Sequence, residues 1–286
     1  MTVLEVIQRS AEFLGNKGVD SPRLQTELLL AHALRLPRLN LYLNFERQLA
    51  AAELEAVREL VRRRGNREPL QHILGAASFC GLEIKVNRHV LVPRPETELL
   101  AERAWNFLSS INSLPATALD FGTGSGCIAI ALAAKCPAAQ VDAVDISAEA
   151  LSVARENARL NGLAGRIQFL VGDGFAGLPR GLAYDLIVAN PPYIPRAEID
   201  ALQPEVREYD PRPALDGGAD GLDFFHRLAA EAAGHLGAAG KILLEFGDGQ
   251  AGRIGELFVQ HKWVVENVDP DYSGRPRFLT ARPERV

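Results

Sequence analysis

From Ala116 to the C-terminus, short apolar runs alternate with segments of helical period, and this alternation restricts the chain to few architectures. Thr117–Phe121, Gln140–Asp145, Arg166–Val171, Tyr184–Ala189, Lys241–Phe246, Trp263–Val268 and Arg277–Ala281 read as strands. Cys127–Lys135, Ala148–Asn161, Gly221–Gly234 and Gln250–Gln260 read as the helices between them. Strands separated by helices imply an α/β fold with a mostly parallel seven-stranded sheet covered on both faces. In such sheets, ligands bind at the carboxyl ends of the strands, so the residues that end each run are the ones to search for chemistry.

The first quarter of the chain has a different period. Thr2 and Glu5 form a capping-box pattern ahead of Val3, Val6, Ile7, Ala11 and Leu14. Ser21-Pro22 reads as an N-cap followed by proline at the first helical position, opening a second helix. A third segment spans Leu39–Leu43, and Ala51–Arg64 reads as a further helix with Arg58, Arg62, Arg63, Arg64 and Arg67 gathered at its end. Cations suit a helix C-terminus, so that cluster is expected to be a solvated face in preference to a docking patch. The period then shifts to two over Phe79–Val92, with Gly81 and Asn87 as punctuation, and predicts a hairpin or short strand pair. The expected organisation is therefore a helical domain over 1–75, a β-hairpin linker over 76–92 and an α/β domain over 93–286. At the start of the last, Pro95-Glu96-Thr97-Glu98 looks like an ordinary acidic helix start.

One strand ends unusually. Tyr184–Ala189 runs into Asn190-Pro191-Pro192-Tyr193, where two prolines fix φ twice and remove two backbone donors. The result is a stiff cradle: an amide side chain on Asn190, a free carbonyl on Pro191, and the ring of Tyr193 as a platform. A planar NH2 group has two hydrogens and needs two acceptors arranged in this way. The tetrapeptide resembles the Asn/Asp-Pro-Pro-Tyr signature of methyltransferases that modify planar amino groups, in adenine or in glutamine. The motif alone does not choose between them. Ile194–Ala219, rich in proline, is expected to loop over this site.

Asp120-Phe121-Gly122-Thr123-Gly124-Ser125-Gly126 ends the first strand and opens a helix, a loop that lets a ligand reach backbone N–H groups. Gly124, Gly126 and Ala129 also meet a permissive dinucleotide fingerprint, so glycine spacing leaves an NAD-dependent oxidoreductase open. The acids favour S-adenosylmethionine. Asp120 would repel a pyrophosphate but suits a ligand carrying an ammonium and a sulfonium. Asp145 is placed to accept two ribose hydroxyls, and Asp173, followed by Gly174, to reach an adenine amino group. The candidate cofactor residues are therefore Gly122, Thr123, Gly124, Ser125, Gly126, Asp145, Asp173, Gly174 and Asn190. Asn190, Pro191, Pro192 and Tyr193 are the candidates for holding substrate, with Asn190, Pro191 and Tyr193 the catalytic ones.

Along nearly its whole length the chain resembles the HemK/PrmC family. Arg67–Gly75 resembles the interdomain signature, with His72 where tyrosine is usual, and Val92–Glu98 matches the start of the catalytic domain. Gly122–Gly126, Asp145 and Asn190–Tyr193 match the cofactor and substrate loops, and Ala214–Leu222 a further family stretch. Gly274-Arg275-Pro276-Arg277 resembles the terminal signature, with Pro276 where an acid is commoner. Gly174 stands where some relatives place a bulky residue. The resemblance implies a class I, Rossmann-like S-adenosylmethionine methyltransferase domain that methylates the glutamine of the Gly-Gly-Gln motif in peptide chain release factors. From the basic helical segment ahead of the hairpin, the N-terminal helices are expected to recognise substrate.

Composition fits this reading. Residues 1–90 hold 13 Lys+Arg against 10 Asp+Glu, while 91–286 hold 18 against 26, so the α/β half is ill suited to gripping a nucleic-acid backbone unaided. A nucleic-acid adenine methyltransferase, with Tyr193 stacked on a flipped base, is thereby disfavoured. Cys80, Cys127 and Cys136 lack metal spacing and cannot all pair, and none of the six histidines falls at ligand spacing. No metal, no disulfide, a cytoplasmic setting and a monomer are expected. No leader and no apolar run near about 18 residues stands in the sequence, so no membrane association is expected.

Overall fold

The computed structural model describes residues 1–111, 115–179 and 181–285. The chain divides into two compact units: residues 1–76 with 203–209, and residues 77–202 with 210–286.

The first unit contains α1 (Val3–Asn16), α2 (Pro22–Leu34), α3 (Arg38–Tyr42), α4 (Ala51–Gly65) and α5 (Leu70–Leu74). Val3, Ile7, Leu14, Leu29, Leu30, Leu41 and Val57 form its buried core. The capping box at Thr2 is present in both directions, with Thr2 N donating to Glu5 Oε2 at 2.8 Å and Glu5 N donating to Thr2 Oγ1 at 3.2 Å. Ser21 departs from expectation. The tight reversal after α1 puts it in the left-handed region at φ 48°, and its side chain makes no cap. Proline at the first helical position sets the start of α2 without one.

The arginine cluster is also not a plain solvated face. Arg64 is 4% exposed; its Nε donates to Gln25 Oε1 at 2.6 Å and its Nη2 to Glu205 Oε1 at 2.7 Å. Arg67 grips the same carboxylate in a fork, Nε to Oε1 at 2.7 Å and Nη2 to Oε2 at 2.6 Å. Glu205 lies in a short helix, Pro204–Tyr209, that belongs to this unit although it comes from far along the sequence. Tyr209 of that helix meets His72 edge to face, with ring centroids 6.4 Å apart. Arg58 and Arg62, which pair with Glu55 and Glu59 one turn back, are the members that do behave as a solvated helix face.

A hairpin, β1 (Ala76–Phe79) and β2 (Leu82–Lys85), follows, all of it but Ala76 in the second unit. Its two-residue turn places both Cys80 and Gly81 at positive φ, 52° and 79°, the backbone that matches strand twist. The strands end earlier than the period suggests. Val86, Val90 and Val92 are buried without a partner strand, with a turn between Asn87 and Val90 closed by Val90 N donating to Asn87 O at 3.2 Å, and so imitate alternation.

The unit continues with α6 (Pro95–Ser110), β3 (Thr117–Phe121), α7 (Cys127–Lys135), β4 (Gln140–Asp145), α8 (Ala148–Leu160), β5 (Ile167–Val171) and β6 (Tyr184–Ala189). After the helix Pro204–Tyr209, which is α9, come α10 (Asp223–Glu231), β7 (Leu236–Glu245), α11 (Ala251–Gln260), β8 (Trp263–Pro270) and β9 (Pro276–Pro283). The seven-stranded sheet has the order β5-β4-β3-β6-β7-β9-β8, parallel except for β9, which is antiparallel to both of its neighbours. Alternate strand residues face opposite layers. Ala118, Val141, Leu186 and Val188 pack with α6, α7 and α8, while Leu119, Val144, Ile187 and Leu244 pack with α10 and α11. The chain leaves β3 toward β4 on one side and later returns to β6 on the other, which makes the crevice between β3 and β6 the topological switch point.

Candidate active site

The registers bring the sequence candidates to one edge. Phe121 pairs with Val144 and with Ala189, Ala189 pairs with Leu244, and Asp145 pairs with Val171. Gly122, Asn190 and Glu245, each one residue beyond such a pair, therefore stand level at the carboxyl end of the sheet around the switch point.

The glycine loop is shaped by backbone bonds. Gly122 N and Thr123 N both donate to the Val144 carbonyl, at 2.9 and 3.0 Å, and Gly126 N donates to Thr123 O at 2.8 Å. Gly122, Gly124 and Gly126 take φ of 73°, 54° and 81°. A Cβ on Gly126 would lie 2.9 Å from Ala154 Cβ, so that glycine lets α7 start against α8. A Cβ on Gly122 or Gly124 would meet nothing within 4 Å; these glycines leave room and bare amides in front of the loop. The loop is tied down from behind by Asn157, fully buried and absent from the sequence candidates. Its Nδ2 donates to Ser125 O and to Lys85 O, and its Oδ1 accepts from Lys85 N.

The three acids differ. Asp120 is 1% exposed; its Oδ2 accepts from Thr123 Oγ1 at 2.6 Å and from Ala129 N at 3.0 Å, while its Oδ1 is buried without a partner. Burial pushes its pKa up to about 7 despite those two bonds. A buried unpartnered carboxylate oxygen is costly and fits a ligand that brings a cationic donor. Asp145 accepts from Gly124 N at 2.8 Å and from Ser147 N at 2.9 Å, which fixes its orientation and leaves each oxygen a second lone pair for hydroxyls. Asp173 is exposed, and its side chain is held by Arg227. Gly174, at φ 60°, has Phe121 and the Arg227 guanidinium where a Cβ would come, at 2.9 Å each. Its lack of a side chain is thus accounted for by Arg227 crossing behind it.

The cradle at the end of β6 is clamped on both sides. Ile194 N donates to Leu215 O at 3.0 Å and Gly217 N to Ile194 O at 2.9 Å. Cβ atoms on Gly217 and Gly221 would lie 2.9 Å from Pro192 O and 2.4 Å from Tyr193 O, so the glycines of Ala214–Leu222 serve this close approach. Gln250 completes the clamp, with Nε2 donating to Tyr193 O at 2.9 Å and Oε1 accepting from Gly247 N at 2.8 Å. Among the described residues no backbone donor reaches the Pro191 carbonyl, which stays available as an acceptor. Tyr193 packs against the core cluster of α10 and α11, and burial with the Glu245 charge pushes its phenol up to about 12, so it acts as a neutral wall. Asn190 Nδ2 donates to Thr97 Oγ1 at 3.0 Å, and Thr97 Oγ1 donates to Glu245 Oε2 at 2.8 Å. Neither Thr97 nor Glu245 is among the sequence candidates. Their only signal is a threonine in the Val92–Glu98 motif and an acid ending an apolar run.

Among the described residues no group of three or more His, Cys, Asp or Glu could hold a metal ion, and the three cysteines are unpaired. Burial pushes the Cys80 and Cys127 thiols up to about 12, so neither offers a thiolate.

Known proteins share both the sequence and the fold. Residues 5–75 match the family model of the PrmC N-terminal domain, and residues 103–203 that of the methyltransferase small domain. A release factor glutamine methyltransferase from Geobacter sulfurreducens is 46% identical over 259 residues, covering 90% of this chain and 88% of its own. One from Moorella thermoacetica is 43% identical over 286 residues, covering 99% and 100%. A methyltransferase structure from Pyrococcus furiosus matches with a TM-score of 0.52 at 20% identity, over 73% of this chain and 92% of that one, and shares the fold. With such identity across nearly the full length of both relatives, the chain belongs to the release factor glutamine methyltransferase family.

Proposed function

We propose that the protein transfers a methyl group from S-adenosylmethionine to the side-chain amide nitrogen of the glutamine in the Gly-Gly-Gln motif of peptide chain release factors. The observation that carries this reading is the Asn190–Tyr193 cradle, clamped at the switch point beside the glycine loop, in a chain 46% identical to a protein of that name.

The residues present fit the cofactor. Asp120 Oδ1 offers an unpartnered acceptor for its ammonium, the bare loop of Gly122, Thr123, Gly124, Ser125 and Gly126 lets it approach, and Asp145 retains lone pairs for its ribose hydroxyls. Asp173 and Gly174 border the same edge; Asn190, named with them from the sequence, is assigned to the substrate. When bound, S-adenosylmethionine supplies an electrophilic methyl on a sulfonium. What the chain supplies is orientation. An amide nitrogen is a poor nucleophile because its lone pair is shared with the carbonyl. Asn190 Oδ1 and the Pro191 carbonyl each accept one of its hydrogens, which fixes the nitrogen and favours positive charge growing on it. The clamped Pro191-Pro192 turn and Tyr193 keep water away, strengthening both bonds. The methylated nitrogen loses its proton afterwards, when the product leaves and water returns, so no strong base is required.

The setting we infer is cytoplasmic, with a single copy acting on a release factor and no direct role for nucleic acid. Among the described residues no helix is long and apolar enough to cross a membrane. Two substitutions test the cofactor assignment by calorimetry. Asp120→Asn and Asp145→Ala are each expected to weaken S-adenosylmethionine binding by about tenfold or more, the worth of a hydrogen bond to a charged group. Unchanged affinity in both, or tighter binding of NAD than of S-adenosylmethionine to the parental protein, would overturn it.

A further inference from the structure

Asn190 is useful to an NH2 substrate only if its oxygen, and not its own NH2, faces the glutamine. A free asparagine side chain has no such preference, because rotating the amide by half a turn exchanges the two ends at little steric expense. Something in the protein must choose.

The choice can be read from three residues. Thr97 is the third residue of α6 and is 3% exposed; Glu245 ends β7 and is 1% exposed. A hydroxyl has one proton to give. Thr97 gives it to Glu245 Oε2 at 2.8 Å, because a carboxylate can only accept. Thr97 Oγ1 is then left with lone pairs, and the Asn190 atom 3.0 Å away must be the N–H donor. With Nδ2 committed to Thr97, Oδ1 is the end left for substrate. Rotating the amide would set Asn190 Oδ1 against the Thr97 lone pairs, in a buried place where such a clash is not screened.

We infer that Thr97, anchored by Glu245, is a positioning residue that locks the Asn190 amide with its oxygen toward the substrate nitrogen. This rests on the proposed role of Asn190 and extends it to a buried pair that acts through the Asn190 amide. It also explains why a threonine stands in what otherwise reads as an ordinary acidic helix start, and why a carboxylate is buried beneath the site. Burial holds Glu245 up at about 7, against the pull of the Thr97 bond and of the Arg277 and Arg94 charges, with Glu96 adding to the rise. Assays at about pH 8 therefore keep it a carboxylate.

The test is single-turnover methylation of an intact release factor at saturating cofactor, with cofactor affinity measured alongside. Thr97→Val keeps the shape and removes the hydroxyl; it is expected to lower the rate by about tenfold or more while cofactor affinity stays parental. Thr97→Ser restores the hydroxyl and should return the rate to within about threefold of the parental value. In an Asn190→Ala background, Thr97→Val should have no further effect, because the lock has nothing left to hold. A Thr97→Val protein that no longer bound cofactor would have lost its fold, and the Thr97→Ala and Thr97→Ser pair would then decide by the same criterion. If Asn190→Ala is slow but removing the Thr97 hydroxyl leaves the rate parental, the lock is wrong and the cradle stands. A further loss equal to the single-variant loss in the Asn190→Ala background also overturns the lock. A parental rate in Asn190→Ala itself sinks the cradle reading instead.

Discussion

Asn190→Ala is expected to slow single-turnover methylation by at least about a hundredfold while leaving cofactor affinity near parental. The proposed bond goes to the substrate, and losing one preorganised partner costs about 2.7–4 kcal/mol in the transition state. The clamp of Gln250, Gly217 and Gly221 acts on the backbone of the cradle, so it survives the substitution and isolates the amide. Asn190→Asp is the informative companion. It keeps an acceptor, but it cannot donate to Thr97, and it brings a second carboxylate near Glu245. It should therefore lie between the parental protein and the alanine variant. Equal rates for Asn190→Ala and the parental protein would reduce Asn190 to a turn residue.

The second large effect belongs to stability. Replacing Glu205 by alanine leaves the nearly buried Arg64 and the fork of Arg67 without their shared carboxylate. Removing one partner of a buried pair costs about 3–5 kcal/mol; with Arg67 partly exposed the lower end applies. Amide exchange in α4 should therefore speed up by roughly a hundredfold. Burial raises the Glu205 pKa, but the hydrogen bonds from Arg67 and Arg64 outweigh it and hold the carboxyl below its usual value. A depressed carboxylate contributes its stabilisation in full above the unfolded pKa and loses it as pH falls through the folded one. The difference between Glu205→Ala and the parental protein should accordingly shrink in acid, below the ordinary glutamate range. Parental exchange rates in the variant at neutral pH would show that the pairs contribute nothing measurable.

Features carried by neighbouring residues are legible in the amino-acid sequence. The alternation from Ala116 implies the sheet because a buried parallel strand must be apolar on both faces and the helices between must cover them. The glycine loop and the Asn190–Tyr193 cradle are visible because glycine and proline state their backbone demands in the residue type itself. Asp120 stands out as an acid before a glycine run, and the structure leaves its Oδ1 without a partner. What escapes a reading of the sequence is held together across long distances along the chain. Thr97 meets Glu245 over 148 positions and Arg64 meets Glu205 over 141, and no local period announces either pair. The far end of the hairpin is misleading because Val86, Val90 and Val92 bury alternate side chains without pairing. Ser21 misleads for a different reason: a serine before proline signals a cap only where its φ is extended.

The central claim is about which atom receives the methyl group, and mass spectrometry reads that directly. An intact release factor incubated with the protein and S-adenosylmethionine should gain the mass of one methyl group, and fragmentation should place it on the side chain of the glutamine in Gly-Gly-Gln. No gain on the release factor with cofactor bound, or a methyl found on adenine of an added nucleic acid instead, would contradict the account.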